Sequence, residues 1–270
     1  DNSADEYKFM FQASITPEEI EGLRLAAFNG LITVIDHDGK EMEEAIDYLG
    51  KQKVIGFDTE SRPTFSSGQP HYGVSLLQLS GAEKAFLFRI KLLGMDERLC
   101  RILSDDKIIK VGAAVGDDIR GLQRYRKFIP GNFVDLQKIV WEYGIRDKSV
   151  KKMSAIILGF RISKTQQLSN WEAETLSGSQ QLYAATDAWV CREMYSILMD
   201  SEKNPLIEEK PSPAKETVQC VKYSDPIMES RKKRRRISPK EVSASKRRRM
   251  RRRRHRRKGR EGTSDDKSIS

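Results

Sequence analysis

The sequence predicts an α/β domain on a mixed β-sheet, spanning residues 31–200 of the 270-residue chain. Two observations predict it. Short apolar runs bounded by turn residues cluster early in that span. Helical spacing then alternates with further short strands, as in a sheet covered by helices. A third observation marks the border, because beyond Ser201 the periodicity stops and prolines and charges take over.

Taken in order, residues 17–28 (PEEIEGLRLAAF) predict a short helix within an N-terminal extension, 1–30. Pro17 suits a first helical turn, Thr16 suits the cap, and acids follow. Residues 31–35 predict a strand and 40–49 a helix. Residues 54–58 (VIGFD) are apolar until they end on an acid. Residues 74–79 and 85–88 predict two more strands, joined by a turn at Ser80-Gly81. Beyond these, 92–103 predict a helix, 107–111 a strand, 117–125 a helix and 132–134 a strand. Helices are predicted over 135–143, 150–158 and 171–199, the last with a break near Ser177-Gly178. Residues 201–230 contain Pro205, Pro211 and Pro213 and predict a linker. Residues 231–270 predict a disordered, Arg-rich tail.

Charge divides along the same borders. The chain carries a net +10, but residues 1–230 hold 29 Lys and Arg against 35 Asp and Glu, a net −6. Residues 231–260 hold 19 Lys and Arg against one Glu. A broadly basic domain surface is therefore excluded, and bound metal ions or a few placed cations must offset the acidity wherever the domain meets nucleic acid. No apolar run approaches the ~18 residues that suggest a membrane span. The first residue is Asp1, and residues 1–16 lack a signal pattern. Cys100, Cys191 and Cys220 form no CxxC pair, which argues against a disulfide framework or zinc site. A reducing compartment follows, and a cytoplasmic location is the expectation. His37, His71 and His255 are too scattered for a metal cluster, and His71 sits in a loop (SSGQPHYG) expected to be exposed.

Three short blocks concentrate the chemistry: Asp58-Thr59-Glu60, Gly112 to Asp118, and Tyr183 to Asp187. Two divalent ions about 4 Å apart activate water and stabilise the leaving oxygen of a phosphodiester. Mg²⁺ or Mn²⁺ in that role prefers several hard carboxylate oxygens on rigid elements. Asp58 and Glu60, two apart on a strand, share a face. Acids at the end of an apolar strand are not there for packing, although a strand running out into solvent would also end this way. Asp117 and Asp118 open a predicted helix, where either can cap. Tyr183 and Asp187, four apart, share a helix face, and Ala184 and Ala185 let that helix approach the sheet.

Together the blocks resemble the motifs of the DEDD exonuclease superfamily, in its DEDDy branch, which includes ribonuclease D and the Werner-helicase exonuclease domain. The match covers Asp58 and Glu60, Asp118 within KVGAAVGDDIRGL, and Tyr183 and Asp187 within KTQQLSNWEAETLSGSQQLYAATDAW. The flanking GVSLLQLS and FVDLQ match as well. The overall pattern looks most like bacterial stand-alone 3′–5′ exonuclease-domain proteins. The resemblance implies a ribonuclease-H-like, five-stranded mixed sheet flanked by helices. It implies two divalent ions, Mg²⁺ or Mn²⁺, and release of nucleoside 5′-monophosphates from a 3′ end. Asp58 would bridge both ions, Glu60 and Asp187 would complete one site, and Asp118 would serve the other. Tyr183 would orient the attacking water and could help deprotonate it. Spacing from Gly112 in the family pattern favours Asp118 over Asp117.

Lys164, Gln166, Asn170 and Trp171 precede the third block, where the resemblance puts substrate. Ser169 and Asn170 also suit capping, and Trp171 also suits the core. A leucine of Leu77-Gln78-Leu79 could wedge against a terminal base or simply pack. In the tail, Arg247, Arg248, Arg249, Arg251, Arg252, Arg253 and Arg254 suit phosphate pairing, driven by counterion release. RNA or DNA is the expected partner, structured RNA such as the ribosome included. In a eukaryote the same text would read as a nuclear import signal. The competing reading is a nucleic-acid-binding or ribosome-associated module that acts through this tail with little catalysis. The complete set of acids favours the enzyme.

Overall fold

A computed structural model describes residues 10–64 and 73–206. His71 and the whole Arg-rich tail lie outside these residues. The elements, in order, are α1 (Pro17–Glu21), β1 (Leu31–Ile35), α2 (Lys40–Gly50), β2 (Val54–Ser61), β3 (Val74–Ser80) and β4 (Lys84–Phe88). Then come α3 (Ile90–Leu93), α4 (Glu97–Ser104), β5 (Ile109–Gly112), α5 (Val115–Gln123), β6 (Phe133–Asp135) and α6 (Leu136–Ile139). A 3₁₀ turn (Val140–Tyr143), α7 (Val150–Leu158) and α8 (Gly178–Met199) complete the described residues. None of the described helices is long and apolar enough to cross a membrane.

The strands form one six-stranded sheet in the order β1-β4-β3-β2-β5-β6. Only β3 runs antiparallel to its neighbours. The resemblance implied five strands; the sixth, β6, is a three-residue edge strand paired with β5 through Phe133–Asp135. All six match strands read from the sequence pattern.

Alternation along the strands divides the core in two. Ile55 and Phe57 of β2, Leu77 and Leu79 of β3, and Phe86 and Phe88 of β4 face α2, α4 and α5. The opposite face, including Leu76 and Leu87, packs against α8 through Tyr183, Ala184 and Ala185. Helices α7 and α8 close that side through Met153, Ile157, Val190 and Met194. Leu77 and Leu79 are fully buried, so neither reaches a base.

Four helices are shorter than their periodicity predicts, each for a local reason. Helix α1 ends at Gly22, because Arg24 and Ala26 exchange backbone hydrogen bonds with Arg161 instead of continuing the helix. The stretch 90–104 splits at Gly94, whose φ of 71° ends α3, and Asp96 then caps α4 by accepting from the Arg98 N–H. Helix α6 tightens into the 3₁₀ turn and stops at Gly144, φ 82°. Helix α8 begins at Gly178 under a Ser177–Gln180 capping box. The residues before it are held in a loop by Arg89, which donates to the carbonyls of Ala173 and Glu174.

Candidate functional site

Strand β2 builds one wall of the site. Only Val54, Ile55 and Gly56 pair with β5, so the edge of β2 beyond Gly56 is open on that side. This is the carboxyl end of the strand, where open α/β sheets place their ligands. Asp58 and Glu60 lie on the α8 face, and Thr59 on the face of α5. A register shift between Glu60 and Ser61 ends the regular pairing with β3.

Helix α8 supplies the second wall. It lies so close to β2 that a Cβ on Gly56 would stand 1.8 Å from the Ala188 carbonyl oxygen. Ala184, Ala185 and Ala188 are fully buried in that contact region. The close approach carries Asp187 to Asp58 and Glu60, and carboxylate oxygens of these three lie within 4.8 Å of one another. Tyr183, one turn earlier, donates its hydroxyl to Asp187.

Asp118 enters from the other side of the sheet. Ala114 adopts φ 59° at the turn from β5 into α5, and its N–H donates to Asp135 Oδ1 at 2.9 Å. That turn starts α5 so that Asp118 meets the end of β2, where it accepts from Thr59 Oγ1 at 2.5 Å. Asp117 points away: its side chain is 89% exposed and paired with Arg120. The geometry thus separates the two acids that the sequence left in competition.

The acids repel one another. Burial, then the charges of Asp187, Glu60 and Asp118, hold the Asp58 carboxyl well above its ordinary range. Burial and the charges of Asp187 and Asp118 push Glu60 up to about 9. Burial raises Asp187 to about 7 against the opposing pull of Tyr183 and Lys164. Asp118 is raised by burial, with the Thr59 hydrogen bond opposing. The Tyr183 hydroxyl is held above its ordinary value by burial and by the carboxylates around it. Clustered carboxylates with raised proton affinity mark a place built for an opposite charge.

A cleft of about 540 Å³ opens over these groups, lined among others by Asp58, Glu60, Asp118, Tyr183, Asp187 and Lys164. Of the other residues expected at substrate, Gln166 and Asn170 do not line it. Asn170 instead caps a turn, accepting from the Glu172 N–H at 3.1 Å. Trp171 corrects the sequence expectation: it is fully buried, and its ring packs 5.9 Å from that of Tyr183. A large ring next to an apolar helix face goes to the core, where its area counts most. Sequence reasoning missed Arg62, Lys151, Gln167 and Leu168, which also line the cleft. Arg62 was findable as a cation two residues beyond Glu60. Gln167 and Leu168 lie within the 164–171 stretch that the resemblance placed at substrate, whereas no local pattern brings Lys151 to β2.

Residues 33–201 match the profile of a family described as 3′–5′ exonuclease. The chain belongs to the 3′–5′ exonuclease family. Among its relatives is an exonuclease 3′–5′ domain-containing protein 2 from Drosophila melanogaster, 34% identical over 150 residues, which cover 54% of this chain and 25% of that protein. A 3′–5′ exonuclease of Acanthamoeba polyphaga mimivirus, given as putative, is 27% identical, with 67% of this chain and 50% of that protein covered. The chain thus spans a quarter of the first of these relatives and half of the second. The exonuclease fold is shared with Escherichia coli RNase D, at TM-score 0.56 and 23% identity, covering 63% of this chain and 44% of that one. It is shared with the Nibbler EXO domain of Aedes aegypti, at TM-score 0.55 and 22% identity, covering 65% and 92%.

Proposed function

We propose that this chain is a metal-dependent 3′–5′ exonuclease that removes nucleoside 5′-monophosphates one at a time from single-stranded 3′ ends. The observation that carries the reading is the convergence of Asp58, Glu60 and Asp187 from β2 and α8, with carboxylate oxygens inside 4.8 Å of one another. The donor set is all oxygen and the carboxylates repel one another, which suits Mg²⁺ or Mn²⁺. Asp58, Glu60 and Asp187 would hold one ion, and Asp58 and Asp118 a second. When bound, such ions activate water and neutralise charge on the phosphate and its leaving oxygen.

The chain's own groups supply the rest. Water adds to the terminal phosphodiester, the bond from phosphorus to the 3′ oxygen breaks, and the shortened strand keeps a 3′-hydroxyl. Tyr183, whose hydroxyl donates to Asp187, would accept from the attacking water and so orient it. Lys164, at the cleft and near enough to act on Asp187, offsets phosphate charge. The tail, with its 19 Lys and Arg over residues 231–260, tethers the enzyme to RNA or DNA. RNA belongs among the substrates to test, since a Trypanosoma brucei RNase D of this fold was solved with RNA U12.

The test is a time course on 5′-labelled single-stranded DNA and RNA with Mg²⁺ or Mn²⁺, comparing wild type with Asp58→Ala. A ladder shortening from the 3′ end and lost in Asp58→Ala is the expected result, and the relative rates name the sugar. No ladder on either strand from protein that still binds both would replace this reading with that of a binding module.

A further inference from the structure

Gln78 sits in the middle of β3 and is fully buried. Neither its amide nitrogen nor its amide oxygen has a hydrogen-bond partner among the described residues. An amide offers two donors and a twice-accepting carbonyl, and leaving all of them unmet in a core is costly. Such a group in a native fold calls for an explanation. Packing supplies none. The surrounding strand reads Leu76, Leu77, Gln78, Leu79, and an apolar side chain of similar volume would fill the same space.

Register supplies one. On its β4 side Gln78 lies opposite Leu87, which offers an amide nothing. On its β2 side it lies directly opposite Asp58. Residues so paired in an antiparallel ladder share a face, with Cβ atoms about 4.5–5.5 Å apart. Asp58 is therefore the polar group in register with the amide, and it lies on the α8 face with Glu60 and Asp187. A side chain that breaks a packing rule next to a reactive cluster is expected to serve the cluster.

We propose that Gln78 is a positioning residue of the acidic centre: its amide, without a partner among the described residues and in register with Asp58, is the donor that would hold the Asp58 carboxylate in orientation when a divalent cation binds. The amide weakens the fold and strengthens the site. Groups that orient ligand side chains are worth about 10–100-fold in metal affinity. This rests on the metal-dependent reading above, which Asp58→Ala tests separately.

The experiment measures Mn²⁺ binding by titration calorimetry on the full chain, with thermal melting in EDTA and in Mn²⁺, for wild type, Gln78→Met and Asp58→Ala. Methionine keeps the volume and removes the amide. The expected result is a Gln78→Met melting temperature in EDTA at or above wild type, with Mn²⁺ binding weakened about tenfold or more. Wild-type Mn²⁺ affinity in Gln78→Met would overturn the proposal. So would a variant that fails to fold or melts lower in EDTA, since the amide would then be structural. If wild type binds no Mn²⁺, or Asp58→Ala binds it unchanged, the metal-centre reading falls and this one with it. Loss in Asp58→Ala with no change in Gln78→Met removes the positioning role alone.

Discussion

Gly56 and Ala188 are in backbone contact: a Cβ on the glycine would lie 1.8 Å from the alanine's carbonyl oxygen. The absence of one methyl group thus sets the distance between β2 and α8, and so the distance between Asp58 and Asp187. Gly56→Ala must push the helix away or bend the strand. We expect a loss of about 1–3 kcal/mol or more in stability. Activity should fall further than stability accounts for, read as kcat at a temperature where the variant stays folded.

Asp117 and Asp118 are adjacent in sequence but differ in setting: Asp118 bonds Thr59 in the cleft, while Asp117 pairs with Arg120 in solvent. Asp118→Asn is expected to reduce activity by at least about 100-fold, the upper range for loss of groups around a metal. Asp117→Asn should stay within about twofold, as surface substitutions away from special features do. Equal losses in both would refute the assignment of the second motif to Asp118.

The raised carboxyls make stability depend on pH with a definite sign. Glu60 rises from 4.5 to about 9 and Asp187 from 3.8 to about 7. The folded state therefore binds protons more tightly than the unfolded chain, and stability falls as pH increases. In EDTA, the melting temperature should decline from about pH 4 to about pH 9, within which these groups ionise in the fold. Mg²⁺ or Mn²⁺ should lift the upper end of that curve. Glu60→Gln should flatten the EDTA curve, and an unchanged slope would deny the cluster its role.

Lys164 and Trp171 lie seven residues apart and should separate cleanly. Trp171→Ala removes a fully buried ring and should cost about 3–5 kcal/mol in denaturant unfolding. Lys164→Ala should leave the melting temperature nearly unchanged and raise KM, with kcat less affected. A KM equal to wild type would place the lysine outside the substrate path.

Removal of residues 231–270 takes away 20 of the chain's 49 Lys and Arg and turns the net charge from +10 to −6. The slope of log affinity against log salt should become shallower, because fewer counterions are released. Cleavage of short oligonucleotides should continue at the wild-type rate. A truncated protein with the full salt slope would show that the tail is not the tether.

Much of this protein was determined locally. Short apolar runs bounded by turn residues marked all six strands, because strands buried in a covered sheet are apolar and end at turns. The acids at 58 and 60 could be assigned to one face because side chains alternate along a strand, and Tyr183 and Asp187 by helical spacing. Other features depended on neighbours distant in sequence. Only the tertiary structure decided that residues 24–26 pair with Arg161 instead of extending α1. It alone sent Trp171 to the core while Lys164 faced the cleft, and it alone turned Asp118 inward and Asp117 outward. The unmet amide of Gln78 is likewise invisible in the string, where a glutamine within a run of leucines could serve any purpose. Periodicity reports which face a side chain occupies, but not what stands opposite it. The opposite wall comes from helices α5 and α8, and their approach is set by the packing of the whole sheet.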